Sequence, residues 1–169
     1  EFRRAIELSP NYSVAHLWYA NLLPARGRFE EALAEGRKAR ELDPLSIVAH
    51  HVVGWIYFFM RDFERSRSEM QSRLEVDRQW VYGFVWASWP MQQLGRHAEA
   101  VASLEKAVEL SGGTVLTRAS LAHGLALAGL RVQDAKLVTV CLVTERLVRA
   151  APYRRCLEHT DRFLGDHDE

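Results

Sequence analysis

The sequence predicts an all-α protein built from antiparallel helix pairs that recur about every 34 residues. Three glycines carry this period, since the interval from Gly27 to Gly95 is twice that from Gly95 to Gly129. Glycine adopts a left-handed backbone at no steric cost, so each is expected to end a helix at a tight turn. Proline cannot continue a helix, and Pro10 and Pro44 are one repeat length apart. Helix, turn and helix therefore form one repeating unit.

Paired alanines mark the second helix of two units. Ala32 and Ala39 follow the first turn glycine, Ala100 and Ala107 follow the second, and each pair is seven residues apart. Seven residues are about two helical turns, so both methyl groups face the same neighbour and permit a close approach. Helices 13–26 and 29–42 are thus predicted for the first complete unit.

The unit between these two departs from the pattern. Arg61 takes the place of the turn glycine, Ser66 and Arg73 replace the two alanines, and Arg78 replaces the proline. An arginine at a close helix contact either extends to solvent or pushes the helices apart. Turns are predicted at Gly27, at 61–62, at Gly95 and at Gly129.

The whole of 1–169 is expected to be one array. The predicted parts are the end of a preceding repeat at 1–10, repeats at 13–44, 47–78 and 81–112, a repeat with an insertion at 115–149, and the start of a degenerate repeat at 151–169. The chain opens without Met inside a helical pattern, so we expect an excerpt of a longer protein.

This helix–turn–helix unit, with its period and its turn glycines, resembles the tetratricopeptide repeat. Within that family, 107–113 (AVELSGG), 121–129 (LAHGLALAG), 151–153 (APY) and 164–166 (LGD) are similar to the C-terminal arrays of bacterial multidomain regulators. Those arrays sit behind winged-helix, nucleotide-cyclase, TolB-like or protein-kinase domains. The resemblance implies a right-handed superhelical scaffold that binds protein.

Charge and composition exclude several partners. Twenty-two basic and twenty-two acidic residues cancel, so neither nucleic acid nor a membrane surface is expected as a partner. The apolar run 52–60 is far too short to cross a bilayer, and the sequence carries no signal peptide. Cys141 and Cys156 have neither metal nor redox spacing. A cytoplasmic location is expected.

No catalytic residue, metal site or cofactor is expected. The chain has no Gly-rich phosphate loop, no His-Glu-x-x-His and no nucleophile elbow. His50 and His51 are adjacent on a predicted helix, so they point about 100° apart and do not readily share a metal. The tail 166–169 suits a helix N-terminus, where acidic side chains complement the dipole.

The candidate binding surface lies on the first helix of each unit, at positions spaced 3, 4 and 3 residues apart. The candidate peptide- or partner-binding residues are Asn21, His51, Trp55, Phe58, Tyr82, Trp89, Gln92 and His123, with the two histidines as polar borders. Aromatic side chains dominate interface energetics, so an aromatic groove for an apolar peptide is one interpretation. The alternative is that some rings fill the core between repeats or dock against a further domain. A carboxylate clamp is rejected because only Asn21 suits one.

Two functions remain open: an interaction scaffold that binds a protein or peptide in this groove, or a regulatory segment packed on a fused signalling or DNA-binding domain. An apolar patch outside the groove, above all at the N-terminal end, would favour the second. Exposed terminal repeats also allow a homo-oligomer. Pro90 lies within a predicted helix and is expected to kink or break it near Trp86, whereas Pro24 should disturb its helix less.

Overall fold

The computed structural model describes residues 1–129, which form eight α-helices, one 3₁₀ turn and no β-strand within that range. In chain order they are α1 (Phe2–Leu8), α2 (Ser13–Leu22), the 3₁₀ turn (Pro24–Arg26), α3 (Phe29–Leu42), α4 (Ile47–Phe59), α5 (Phe63–Val76), α6 (Val81–Gln93), α7 (His97–Ser111) and α8 (Val115–Leu127). The all-α prediction is confirmed. The predicted helix after Gly129, the degenerate unit and both cysteines lie outside the described residues.

Neighbouring helices pack as a continuous array. The pairs α2–α3, α4–α5 and α6–α7 are the most extensive contacts, and α3 packs on α4, α5 on α6, and α7 on α8. We call α2, α4, α6 and α8 the first helices, and α1, α3, α5 and α7 the second helices. This is the array of helix pairs predicted from the repeating glycines and prolines. The division of 1–169 into individual units stays a prediction.

The turns within each helix pair have the predicted left-handed residue. Gly27, Gly95 and Gly129 have φ of 68°, 70° and 70°. At the first of them, the Gly27 N–H donates to the Pro24 carbonyl and the Arg28 N–H donates to the Leu23 carbonyl. This pair of hydrogen bonds is the Schellman motif, which satisfies carbonyls that the helix end leaves free.

The remaining turn makes the same hydrogen bonds without glycine. Arg61 has φ of 61° and is the one non-glycine residue with positive φ in 1–129. Its N–H donates to Phe58 and the N–H of Asp62 donates to Tyr57, both at 3.0 Å. The turn geometry is therefore kept although the residue at its centre has a Cβ.

Small residues sit where helices approach most closely. Ala32, Ala39, Ala100 and Ala107 have no exposed surface. Arg73 occupies the equivalent place on α5, where it is half-buried and its Nε has no hydrogen-bond partner among the described residues. Whether Arg73 extends to solvent or pushes its helix away from a neighbour stays a prediction.

Pro24 and Pro90 differ in how they affect the continuity of their helices. α6 runs without interruption through Pro90, so the predicted break near Trp86 is wrong; whether the helix bends stays a prediction. Helix 13–26 was also predicted too long, because α2 ends at Leu22 and Pro24 begins a 3₁₀ turn. Proline suits the first position of a helical turn, where its missing N–H has no partner to lose. Pro24 therefore marks a boundary, whereas Pro90 is buried inside a helix that its neighbours hold together.

Candidate protein-binding surface

Charge is distributed unequally between the two kinds of helix. The first helices carry no acidic residue, and Arg118 is their one Lys or Arg. The second helices α3, α5 and α7 carry acidic and basic residues throughout, many paired with each other, such as Arg40 of α3 with Glu69 of α5 at 3.2 Å. The first helices thus present a nearly uncharged surface.

One row of apolar side chains repeats along this surface. Val14, Val48, Tyr82 and Leu116 follow one another at the repeat interval, and each is 41–50% exposed. Since all four lie at the same place in their first helices, they form a row of exposed side chains that recurs from one repeat to the next, which we call the apolar stripe. Large apolar residues exposed in one contiguous set are typical of surfaces that bind another molecule.

A second row contains the two predicted anchors. Trp55 on α4 and Trp89 on α6 occupy equivalent places, and their ring centroids lie 5.0 Å apart at 70°. Trp55 also contacts Phe58 at 5.7 Å and Phe59 at 6.0 Å. We call these rings, together with Tyr82, Trp80 and Trp86, the aromatic cluster. The contacts of Trp55 with Trp89 and Phe58 are edge-to-face, and its contact with Phe59 is stacked. Both geometries stabilise aromatic pairs beyond the area that they bury.

The aromatic cluster is partly structural and partly exposed. Trp55 and Trp86 are half-buried and pack against a small core of Met70, Ala87, Met91 and Ala100. Trp89, Phe59 and Tyr82 are 37%, 44% and 50% exposed. Some rings therefore fill the space between repeats, and others face outward. That the outward-facing rings form a groove for an apolar peptide stays a prediction.

Two members of the cluster were missed by the sequence reasoning. Trp86 contacts Trp55, Trp80 and Tyr82 at centroid distances of 6.0, 5.4 and 6.1 Å. Its position was detectable, because Tyr82, Trp86 and Trp89 follow a spacing of four and three and so share one helix face. Trp80 precedes α6 in the chain, and no helical spacing predicts where its ring turns.

His51 is not a polar border of the surface, and that expectation was wrong. It is 1% exposed, and its ring packs on Trp80 and Trp86 at centroid distances of 4.2 and 5.0 Å. The equivalent residues Leu17 and Val85 are buried as well, so this row of the first helices lies in the core. Burial, with smaller contributions from His50 and Arg73, lowers the pKa of His51 to about 3.

The other predicted residues lie apart from these ring contacts. The Asn21 side chain is half-buried and donates from Nδ2 to the Leu17 carbonyl in its own helix, at 3.0 Å. Gln92 is half-buried near α8, with its Nε2 3.7 Å from where a Cβ on Gly124 would lie. His123 is exposed on α8. The structure thus brings together Trp55, Phe58, Tyr82 and Trp89, and leaves these three outside.

Residues 1–129 lack two features that would indicate other functions. Within those residues, no three His, Cys, Asp or Glu side chains approach closely enough to hold a metal ion together. None of the helices described there has the length and apolarity needed to cross a bilayer.

Comparison with known proteins identifies the repeats. Two family profiles described as tetratricopeptide repeat match residues 1–34 and 92–113. No curated protein sequence matches the chain.

Solved structures share the fold at low sequence identity. TTC0263, a thermophilic tetratricopeptide protein of Thermus thermophilus, is 20% identical over 97% of this chain and 86% of its own, with a TM-score of 0.67. MamA from Desulfovibrio magneticus RS-1 is 12% identical over 88% of this chain and 84% of its own, with a TM-score of 0.65. The first tetratricopeptide domain of human RPAP3 is 17% identical over 72% of this chain and 95% of its own, with a TM-score of 0.61. Together with the helix pairs and the turns at their repeating interval, these matches show that the chain is an array of tetratricopeptide repeats.

Proposed function

We propose that this tetratricopeptide array is a non-catalytic protein–protein interaction scaffold whose first helices bind an apolar segment of a partner polypeptide. The observation that carries the proposal is the nearly uncharged surface of the first helices, crossed by the apolar stripe and the exposed part of the aromatic cluster. Solenoid arrays present extended surfaces of this kind to their ligands. Exposed aromatic rings on such a surface suit the role of binding hot spots.

The surface favours an apolar ligand over a charged one. An amphipathic helix laid in a groove engages it through apolar anchors at helical spacing. Trp89 and Tyr82 supply exposed rings for such anchors, and Trp55 supports Trp89 from the neighbouring helix. Binding is therefore expected to change little with salt, since few ionic contacts form on this surface.

The experiment is a selection of random phage-displayed peptides on the immobilised protein. Apolar peptides should be enriched, and their affinity should fall about 30-fold or more in Trp89→Ala, which is the loss expected for an aromatic hot spot. Val76→Ala is the matched control, because Val76 is exposed at the end of the charged helix α5. Peptides that bind both variants as tightly as the unmodified protein would place the binding surface elsewhere.

A second function rests on the N-terminal end of the array. Trp18 and Leu22 on α2 are 51% and 54% exposed, whereas the equivalent Val52 and Ile56 on α4 are buried. Phe2 is exposed as well, and Phe2 and Leu22 border an open cavity of about 510 Å³. An apolar end face suits packing against another domain, as in a regulatory segment attached to a signalling or DNA-binding domain.

These two functions make opposite predictions for one pair of variants. If the end face binds the partner, Trp18→Ser abolishes partner capture and Trp89→Ala leaves it intact. If the first-helix surface binds the partner, the reverse holds. Both tryptophans are partly exposed, so neither change should unfold the protein.

A further inference from the structure

Arg61 combines an unfavourable backbone with an unpaired charge. Its φ of 61° lies in the left-handed region, where every other positive-φ residue of 1–129 is glycine. A Cβ in that region crowds the backbone, so an arginine there is less stable than a glycine would be. A residue that keeps such a conformation is a candidate for function rather than for stability.

Comparison of the turns shows that the charge has no local partner. Arg28 pairs with Glu31 after the first turn, and Arg96 pairs with Glu99 after the third. In the middle turn the order of the two charges is reversed, because the acidic residue comes first. Asp62 pairs with Arg65 at 3.3 Å and also caps α5.

Arg61 therefore takes no part in the ion pairs that follow each turn. It occupies the left-handed position of its turn, whereas Arg28 and Arg96 each come one residue after that position. The side chain of Arg61 is exposed. No carboxylate within residues 1–129 approaches its guanidinium closely enough for an ion pair. The charge is available to a partner.

The position of the turn connects this charge to the aromatic cluster. Phe58 and Phe59 immediately precede the turn, and the Phe58 ring contacts Phe63 across it at 5.5 Å. Arg61 follows Phe59 by two residues, so its backbone lies at the turn that ends α4, on which part of the proposed binding surface lies. A guanidinium in that place is suited to a carboxylate, which it can bind through two parallel hydrogen bonds.

We infer that Arg61 receives a carboxylate of the bound segment, so that the partner is an apolar peptide segment bordered by an acidic residue. The inference rests on the proposed function, because it assigns the chemistry of one border of the same surface. It differs from a carboxylate clamp, in which basic side chains of the first helices themselves hold a C-terminal carboxylate. Here the first helices α2, α4 and α6 have no Lys or Arg, and the charge comes from a turn.

The test repeats the phage-displayed selection on three proteins: the unmodified chain, Arg61→Gln and Arg78→Gln. Arg78 is an exposed arginine between α5 and α6, at the opposite end of the helices from the turn, and serves as the matched control. Peptides selected on the unmodified chain should be apolar with Asp or Glu on one flank. Replacing that acid by its amide should weaken binding about two- to fivefold, as expected for an exposed ion pair.

The variants separate the outcomes. In Arg61→Gln the acidic preference should vanish, while the same peptides in their amide form bind as they do to the unmodified chain; in Arg78→Gln the preference should persist. Apolar peptides selected without any acidic preference, or a preference that survives Arg61→Gln, would overturn the inference and leave the proposed function standing. Failure to select apolar peptides at all would overturn both.

Discussion

Trp55 and Trp89 are one repeat apart in sequence, and their ring centroids meet at 5.0 Å across the joint between α4 and α6. The two rings are equivalent by position but not by environment. Trp55 is half-buried and contacts Phe58, Phe59 and Trp86, whereas Trp89 is 37% exposed. One ring therefore supports the joint, and the other is presented to solvent.

This difference predicts unequal costs of removal. Trp55→Ala should lower the free energy of unfolding by about 2–4 kcal/mol, because it leaves a cavity in the aromatic cluster. Trp89→Ala should lower it by about 1–2 kcal/mol, because much of that ring is already in water. Urea denaturation of each single variant measures both values. Equal losses would contradict this prediction and would mean that both rings contribute alike to the stability of the fold.

Sequence reasoning found the helices because their ends are chemically marked. Gly27 and Pro44 bracket a helix predicted at 29–42, and α3 has those bounds. It was less successful on the binding surface, because a helical spacing identifies a face without showing which neighbour covers it. Leu17, His51 and Val85 satisfy the spacing as well as Trp55 does, yet the packing of adjacent repeats buries them.

Relief of the left-handed backbone at Arg61 should stabilise the protein. Arg61→Gly is expected to raise the free energy of unfolding by about 1 kcal/mol, since glycine adopts positive φ without steric cost. Gly95→Ala is the reciprocal change: a Cβ there meets no atom within 4 Å, so the backbone conformation alone should cost about 1 kcal/mol. Thermal unfolding of the two variants should shift in opposite directions. If the unfolding temperatures of both variants shifted in the same direction, the left-handed turn conformation would not be the cause of the stability changes.

Close helix packing should make Ala20 intolerant of larger side chains. Ala20 has no exposed surface and lies in the core with Leu17, Leu23 and Val53. Ala20→Leu should cost about 1–3 kcal/mol, because overpacking forces neighbouring side chains and helices to move. Ala34→Leu is the control, since Ala34 is exposed on α3 and the same change should be nearly neutral there. Denaturant midpoints test the pair, and a neutral Ala20→Leu would mean that α2 and its neighbours are not tightly packed.

Burial of His51 should make the protein less stable in mild acid. Its pKa is lowered from 6.5 to about 3, first by burial and then by His50 and Arg73. The unfolded chain therefore binds a proton near pH 6.5 that the folded chain does not bind until about pH 3. Stability is full above the unfolded pKa and falls as the pH decreases through this window, by about 2 kcal/mol between pH 7 and pH 5.

His51→Leu isolates that contribution. Neither ring nitrogen of His51 has a hydrogen-bond partner among the described residues, and the equivalent position on α2 is already Leu17. The substitution should therefore raise stability at pH 7 by about 1–3 kcal/mol, because it removes unsatisfied buried polar atoms. It should also reduce the loss between pH 7 and pH 5 by about 2 kcal/mol. His123→Leu, at an exposed site, should keep the original pH dependence. The two variants share every histidine other than His51 and His123. If the free energy of unfolding, measured in urea, depended on pH in the same way in both, His51 would not be the group responsible for the pH dependence.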